Sequence, residues 1–273
     1  MNVKTILAEN NIKPDAAKDQ FFLEDEDTLR KMVDLAEIDK KDTMFEIGAG
    51  IGNLTKLLAE KAGRVIAYEV DERFAPLLSG LPGNVEVHFE NAWGYAQLHG
   101  KYYHKKEYNK VVSNLPYSFV EQFLHNLTFL EYDKVILLVP LKIVEKIKNS
   151  GVFSSFFIPE IKFIVEKEKF FPVPKTNSAV IEIVKLPKPL ETKNLGIFLR
   201  QYMYQHEGQK VKNSLMEGII KFMRVVNKKE LTKNEARKII SESGINTEFL
   251  EQTPGTDDLY CEVGDKFNKI IPK

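Results

Sequence analysis

Phe45-Glu46-Ile47-Gly48-Ala49-Gly50-Ile51-Gly52-Asn53-Leu54-Thr55 is the stretch on which the fold of this 273-residue chain turns. Apolar residues ahead of the glycines (Met44, Phe45, Ile47) and an apolar rhythm behind them (Leu54, Leu57, Leu58) read as strand, tight turn and helix. Glycine at positions 48, 50 and 52 lets the backbone turn sharply and brings a ligand against the main chain, where a Cβ would intrude. About 20 residues on, Arg64-Val65-Ile66-Ala67-Tyr68-Glu69 reads as a second strand ending in an acid, the position from which ribose hydroxyls are held.

Upstream, Asn10 to Asp19 contains Pro14 and has no period, which predicts a loosely held arm. Gln20-Phe21-Phe22-Leu23 follows, then an amphipathic helix with Leu29, Met32, Val33, Leu35 and Ala36 on its buried stripe and Asp25 or Asp27 as its cap. Downstream, a short helix (Arg73 to Leu78) and the turn Leu81-Pro82-Gly83-Asn84 lead to a third strand with Val85, Val87 and Phe89 on one face, ending at Glu90-Asn91-Ala92-Trp93. A lysine- and tyrosine-rich connection, Lys101 to Lys106, precedes a fourth strand at Lys110-Val111-Val112-Ser113. That strand runs into Asn114-Leu115-Pro116-Tyr117.

A helix at Phe119 to Leu130 leads to Lys134-Val135-Ile136-Leu137-Leu138-Val139, the unbroken apolar run of a strand buried on both faces. Two more strands, Ile161 to Glu166 and Ala179 to Val184, flank the proline-rich Phe170-Phe171-Pro172-Val173-Pro174-Lys175 and are expected to add antiparallel at the sheet edge. After Leu186-Pro187-Lys188-Pro189 only helices are expected, at Leu195 to His206, Val211 to Val226, Lys233 to Ser243 and Asp257 to Ile270. The alternation predicts an α/β fold: a doubly wound, mainly parallel sheet over residues 1–187, followed by a smaller helical domain over 188–273. In such a sheet the ligand sits at the carboxyl ends of the strands, where the glycine turn, Glu69, Asn91 and Asn114 all fall.

Composition bounds the function classes. The 39 basic residues balance 39 acidic ones, so there is no bulk field to attract a polyanion and any nucleic-acid contact must come from local patches. No apolar run approaches the roughly 18 residues of a membrane helix, and the N-terminus lacks a signal-peptide pattern, so a cytoplasmic protein is expected. The one cysteine, Cys261, excludes an internal disulfide and a cysteine-cluster metal site. No metal and a monomeric state are expected.

A glycine turn of this kind serves two ligand classes, dinucleotides and S-adenosylmethionine (SAM). The remaining motifs favour SAM. Asn114-Leu115-Pro116-Tyr117 after a fourth strand resembles the Asn/Asp/Ser-Pro/Leu-Pro-Tyr/Phe motif of amino methyltransferases. Taken with Gln20-Phe21-Phe22-Leu23 upstream and Phe170-Phe171-Pro172-Val173-Pro174-Lys175-Thr176-Asn177-Ser178-Ala179-Val180 downstream, the chain resembles the KsgA family of ribosomal RNA adenine dimethyltransferases over roughly residues 18–215.

That resemblance implies SAM as cofactor, with Gln20, Phe21 and Leu23 closing over it, Gly48 and Gly50 as the close backbone approach, and Glu69 on the ribose hydroxyls. Val70, Asn91 and Ala92 are implied as further contacts, Asn91 standing where the family usually has aspartate. It implies that Asn114 and the Leu115 carbonyl accept the hydrogens of an adenine amine, that Pro116 fixes the turn presenting them, and that Tyr117 and Phe170 stack on the two faces of the base. The implied activity is methylation of adenosine N6 in RNA, most directly dimethylation in small-subunit ribosomal RNA. Alternatives left open are another amine substrate, such as protein glutamine or DNA adenine, and a degenerate relative that binds RNA for ribosome assembly without turnover. The chain departs from the family at Glu207 and Gln209, where basic residues usually approach phosphates, leaving Lys210 and Lys212. At Gly151 to Phe156 only a remnant of the family's Tyr-Gly-x-Leu-Ser segment stands.

Overall fold

Local sequence accounts for most elements of the computed structural model, which describes residues 2–92, 107–116, 118–128, 130, 132–186 and 192–270. Asn2 caps α1 (Val3–Glu9), a helix not expected from the sequence, which buries Val3 and Leu7 one turn apart. The stretch expected as a loose arm is tied down. Asp15 caps a 3-10 turn at Ala16–Lys18, and Gln20 Oε1 accepts the Asp15 N–H at 2.9 Å. A short strand, β1 (Phe22–Leu23), precedes α2 (Glu26–Leu35), whose cap is Asp25 through the Thr28 N–H at 3.2 Å.

The alternating unit follows: β2 (Thr43–Ile47), α3 (Asn53–Lys61), β3 (Arg64–Tyr68), α4 (Ala75–Leu78) and β4 (Val85–His88). Then come β5 (Lys110–Asn114), α5 (Val120–Leu127), β6 (Lys134–Pro140), α6 (Leu141–Asn149), β7 (Phe157–Val165), β8 (Phe170–Phe171) and β9 (Ser178–Lys185). Seven of these strands form one sheet in the order β4-β3-β2-β5-β6-β9-β7. β4, β3, β2, β5 and β6 are mutually parallel, and β9 runs antiparallel to β6 with Leu138 opposite Val180. Val135 to Val139 of β6 are 0% exposed, as the apolar run demands of a strand covered on both faces. β2 lies between β3 and β5, so chain order reverses beside it and leaves a crevice at the strands' carboxyl ends. A second, two-stranded sheet, foreseen by no local pattern, pairs β1 with β8 antiparallel, Leu23 opposite Phe170.

By its internal contacts the chain divides into two units, residues 1–145 with 159–184 and residues 146–158 with 185–273. The expected boundary at 187/188 lies outside the described residues, as do Trp93 and Lys101 to Lys106. The second unit holds α7 (Leu195–Gln205), α8 (Val211–Val225), α9 (Lys233–Ser243), α10 (Thr247–Leu250) and α11 (Asp257–Phe267). α7 is buried from Phe198 to Tyr204, and Phe198 meets Phe222 of α8 edge-on at 5.2 Å. The segment 146–158 joins the helices because Gln201 Nε2 donates to the Ser155 carbonyl at 2.6 Å and Ser150 Oγ donates to Asp257 at 2.9 Å.

Candidate functional site

The turn after β2 is shaped by two backbone requirements. Gly48 has φ +78°, and a Cβ there would sit 3.3 Å from Pro116 Cδ; Gly50 has φ +54°, and a Cβ would sit 3.2 Å from the Phe22 ring. Both glycines are bound to the end of β3. The N–H groups of Gly48 and Ala49 donate to the Tyr68 carbonyl at 2.8 and 3.1 Å, and the Gly50 N–H donates to Glu69 Oε2 at 2.7 Å. Parallel pairing of β2 with β3, Ile47 opposite Tyr68, delivers the glycine turn and Glu69 to the same level.

Glu69 is buried, and its other oxygen, Oε1, accepts the Asp71 N–H at 2.8 Å. Burial raises its pKa, opposed by these backbone bonds. Each oxygen keeps a second lone pair, so the carboxylate is oriented but not saturated.

At the end of β5, Asn114 Nδ2 donates to the Phe21 carbonyl at 3.2 Å. That bond commits the amide's donor side to the N-terminal segment and leaves Oδ1 as its acceptor. Ser118 N–H donates to Asp19 Oδ2 at 2.8 Å, a second tie between the same two segments.

These elements enclose a cavity of about 390 Å³. Gln20, Phe21, Leu23, Gly48, Gly50, Glu69, Val70, Asn91, Ala92, Asn114, Leu115 and Pro116 all line it, so the structure brings together twelve of the residues singled out from the sequence. Two are not brought there. Tyr117 lies outside the described residues. Phe170, expected to stack on a base, is 2% exposed, is part of the main apolar core and is not among the lining residues. Pairing of β8 with β1 seats Phe170 opposite Leu23; Leu23 reaches both the core and the cavity, whereas Phe170 is held in the core alone.

Glu46, which no motif in the sequence marks, lines the same cavity. It is 1% exposed and Oε2 has no hydrogen-bond partner; burial, opposed by the neighbouring Thr55 hydroxyl and aided by the nearby charge of Glu69, pushes its carboxyl up to about 8. The available signal was an acid set inside the apolar strand Met44-Phe45-Glu46-Ile47, a position that costs free energy unless a ligand or a proton satisfies it. An orphaned buried oxygen, a glycine cradle that a Cβ would fill and an oriented carboxylate on one cavity fit a cofactor with a ribose and a cationic amino-acid tail. No group of three or more histidine, cysteine, aspartate or glutamate side chains among the described residues could hold a metal ion.

Comparison with known proteins gives concordant results. Residues 13–248 match the family model described as ribosomal RNA adenine dimethylase. A ribosomal RNA small subunit methyltransferase A of Streptococcus pneumoniae is 29% identical over 247 residues, covering 83% of each chain. A probable ribosomal RNA small subunit methyltransferase A of Methanosarcina barkeri is 31% identical over 229 residues, covering 78% of this chain and 77% of that one. Among solved structures, a dimethyladenosine transferase from Plasmodium falciparum superposes with a TM-score of 0.56 at 18% identity, over 91% of this chain and 98% of the other, a likeness of fold.

Proposed function

Because this chain belongs to the ribosomal RNA adenine dimethylase family, we propose that its cavity holds SAM beside an extruded adenosine, and that the adenosine lies in small-subunit ribosomal RNA. The protein is a SAM-dependent methyltransferase that dimethylates adenine N6 in ribosomal RNA. What carries the assignment of the site is the convergence of the glycine turn, Glu69 and Asn114-Leu115-Pro116 on one cavity.

When bound, SAM supplies an electrophilic methyl group on a sulfonium. The chain's own residues supply position and acceptors. Gly48 and Gly50 allow close approach, Glu69 accepts the ribose hydroxyls, and Gln20, Phe21, Leu23, Val70, Asn91 and Ala92 wall the cofactor. An adenine amine is a weak nucleophile because its lone pair is delocalised into the ring. Asn114 Oδ1 and the Leu115 carbonyl accept its hydrogens and draw the nitrogen toward a tetrahedral shape, with Pro116 fixing the turn. No strong base is required: once methylated the nitrogen is strongly acidic and loses its surplus proton to water, and positioning lowers the barrier to transfer. A monomethylated amine keeps one hydrogen for these acceptors, so a second transfer uses the same groups. Tyr117 stacks on the base; Phe170 supports the wall from within the core. The reaction belongs to a single chain in the cytoplasm.

The test is incubation with labelled SAM and unmethylated small subunits, naked ribosomal RNA or total protein. Label on adenine of the small subunit's RNA is the expected result. Label in protein alone, or in RNA of the large subunit alone, would overturn it.

A further inference from the structure

Asp71 lies two residues beyond Glu69, outside the cavity lining, and is 4% exposed. Its carboxylate gathers donors from two separate segments. Oδ2 accepts Gln20 Nε2 at 2.8 Å, Lys18 Nζ at 3.3 Å and Arg73 Nη2 at 2.6 Å; Oδ1 accepts Arg73 Nε at 2.8 Å and the Arg73 N–H at 3.2 Å. The Arg73 guanidinium, ahead of Gln20 and Lys18, holds this carboxyl far below the usual carboxylate range. The same arginine reaches back to the Lys13 carbonyl at 3.1 Å.

Residues 13 to 20 are thus stapled to the turn after β3, and Lys18 to Leu23, which overlaps and continues that segment, forms one wall of the cavity. A second set of bonds comes off the same residue: the Asp71 N–H orients Glu69, which in turn holds the Gly50 N–H. One residue therefore ties the N-terminal wall through its carboxylate and the ribose acid through its backbone N–H.

We propose that Asp71 is a positioning residue for the cofactor, an inference that rests on the cofactor reading of the cavity: its carboxylate clamps Lys18 and Gln20 as a preformed wall, beside the Glu69 that its backbone N–H holds. Pre-ordering of the wall removes an entropic cost that SAM would otherwise bear on binding. The Asp71 side chain is not on the cavity wall and acts through Gln20 and Lys18.

Asp71→Asn keeps the shape and the backbone N–H but replaces one acceptor oxygen with a donor that faces cations. Calorimetry should show roughly a tenfold or greater rise in Kd for SAM and for its demethylated product, the loss expected of a charge-assisted bond. KM for SAM should rise with kcat at saturating SAM within a few-fold of wild type, a split that general unfolding would not produce. Amide exchange in the ligand-free protein should quicken at residues 15–21 while α5 keeps its protection. Gln20→Leu, which removes the Nε2 donor to Asp71 and leaves the bidentate Asp71–Arg73 pair in place, should quicken the same amides, and it serves if Asp71→Asn does not fold.

Wild-type protein that binds neither compound would overturn the cofactor reading and this inference with it. Wild-type binding with unchanged Kd in Asp71→Asn, or unchanged exchange at 15–21 in both variants, would overturn the positioning role alone.

Discussion

Asn114 is divided in function between the two ends of one amide. Its nitrogen donates to the Phe21 carbonyl, and its oxygen is the acceptor offered to the substrate amine. Asn114→Ala removes an acceptor aimed at developing charge, and a fall in kcat of roughly 100-fold or more is expected in single-turnover methylation. Glu46 makes a different prediction, about pH. Its carboxyl titrates near 8 in the folded protein against an ordinary value of 4.5, so between those limits the unfolded chain has released a proton that the folded chain retains. Stability from this group is therefore full below about pH 4.5 and falls as pH rises toward 8, by on the order of a few kcal/mol in all. Denaturant melts at pH 5 and pH 8 should show this loss in the wild type, and Glu46→Gln should flatten it.

At the scale of elements, the β2–α3 turn and the β1–β8 pair hold the site. Gly48→Ala forces a left-handed residue against Pro116, at a cost of about 1–2 kcal/mol in unfolding free energy, and pushes the Asn114-Leu115-Pro116 turn away from the cofactor wall. SAM affinity and stability should fall together, read by calorimetry and denaturant titration. Phe170→Leu separates core packing from base stacking. With the ring inside the core, the substitution should lower stability by about 1 kcal/mol while kcat stays within a few-fold. A drop in kcat of two orders of magnitude with stability unchanged would return Phe170 to the base.

At the scale of the whole molecule, balanced charge leaves RNA affinity to local patches. Lys210 and Lys212, the basic pair remaining beside Glu207 and Gln209, both donate to Glu251, at 3.0 and 2.6 Å. Glu251→Gln should tighten RNA binding and steepen its salt dependence by roughly one to two counterions, measured as log Kd against log salt. An unchanged slope would mean that this turn does not face phosphate. The glycine turn, the acid ending β3 and Asn114-Leu115-Pro116 were legible in the sequence because each is local: strand-to-helix periodicity and backbone geometry are set within a few residues. The tertiary structure alone decided which side chains converge. It sent Phe170 into the core by pairing β8 with β1, gave Asp71 a partner in Gln20, 51 positions away, stranded Glu46 Oε2 without a partner, and bound 146–158 to the helices through Gln201 and Asp257. Periodicity reports which face of an element is apolar; what that face meets depends on contacts between distant segments, which form only when the chain has closed on itself.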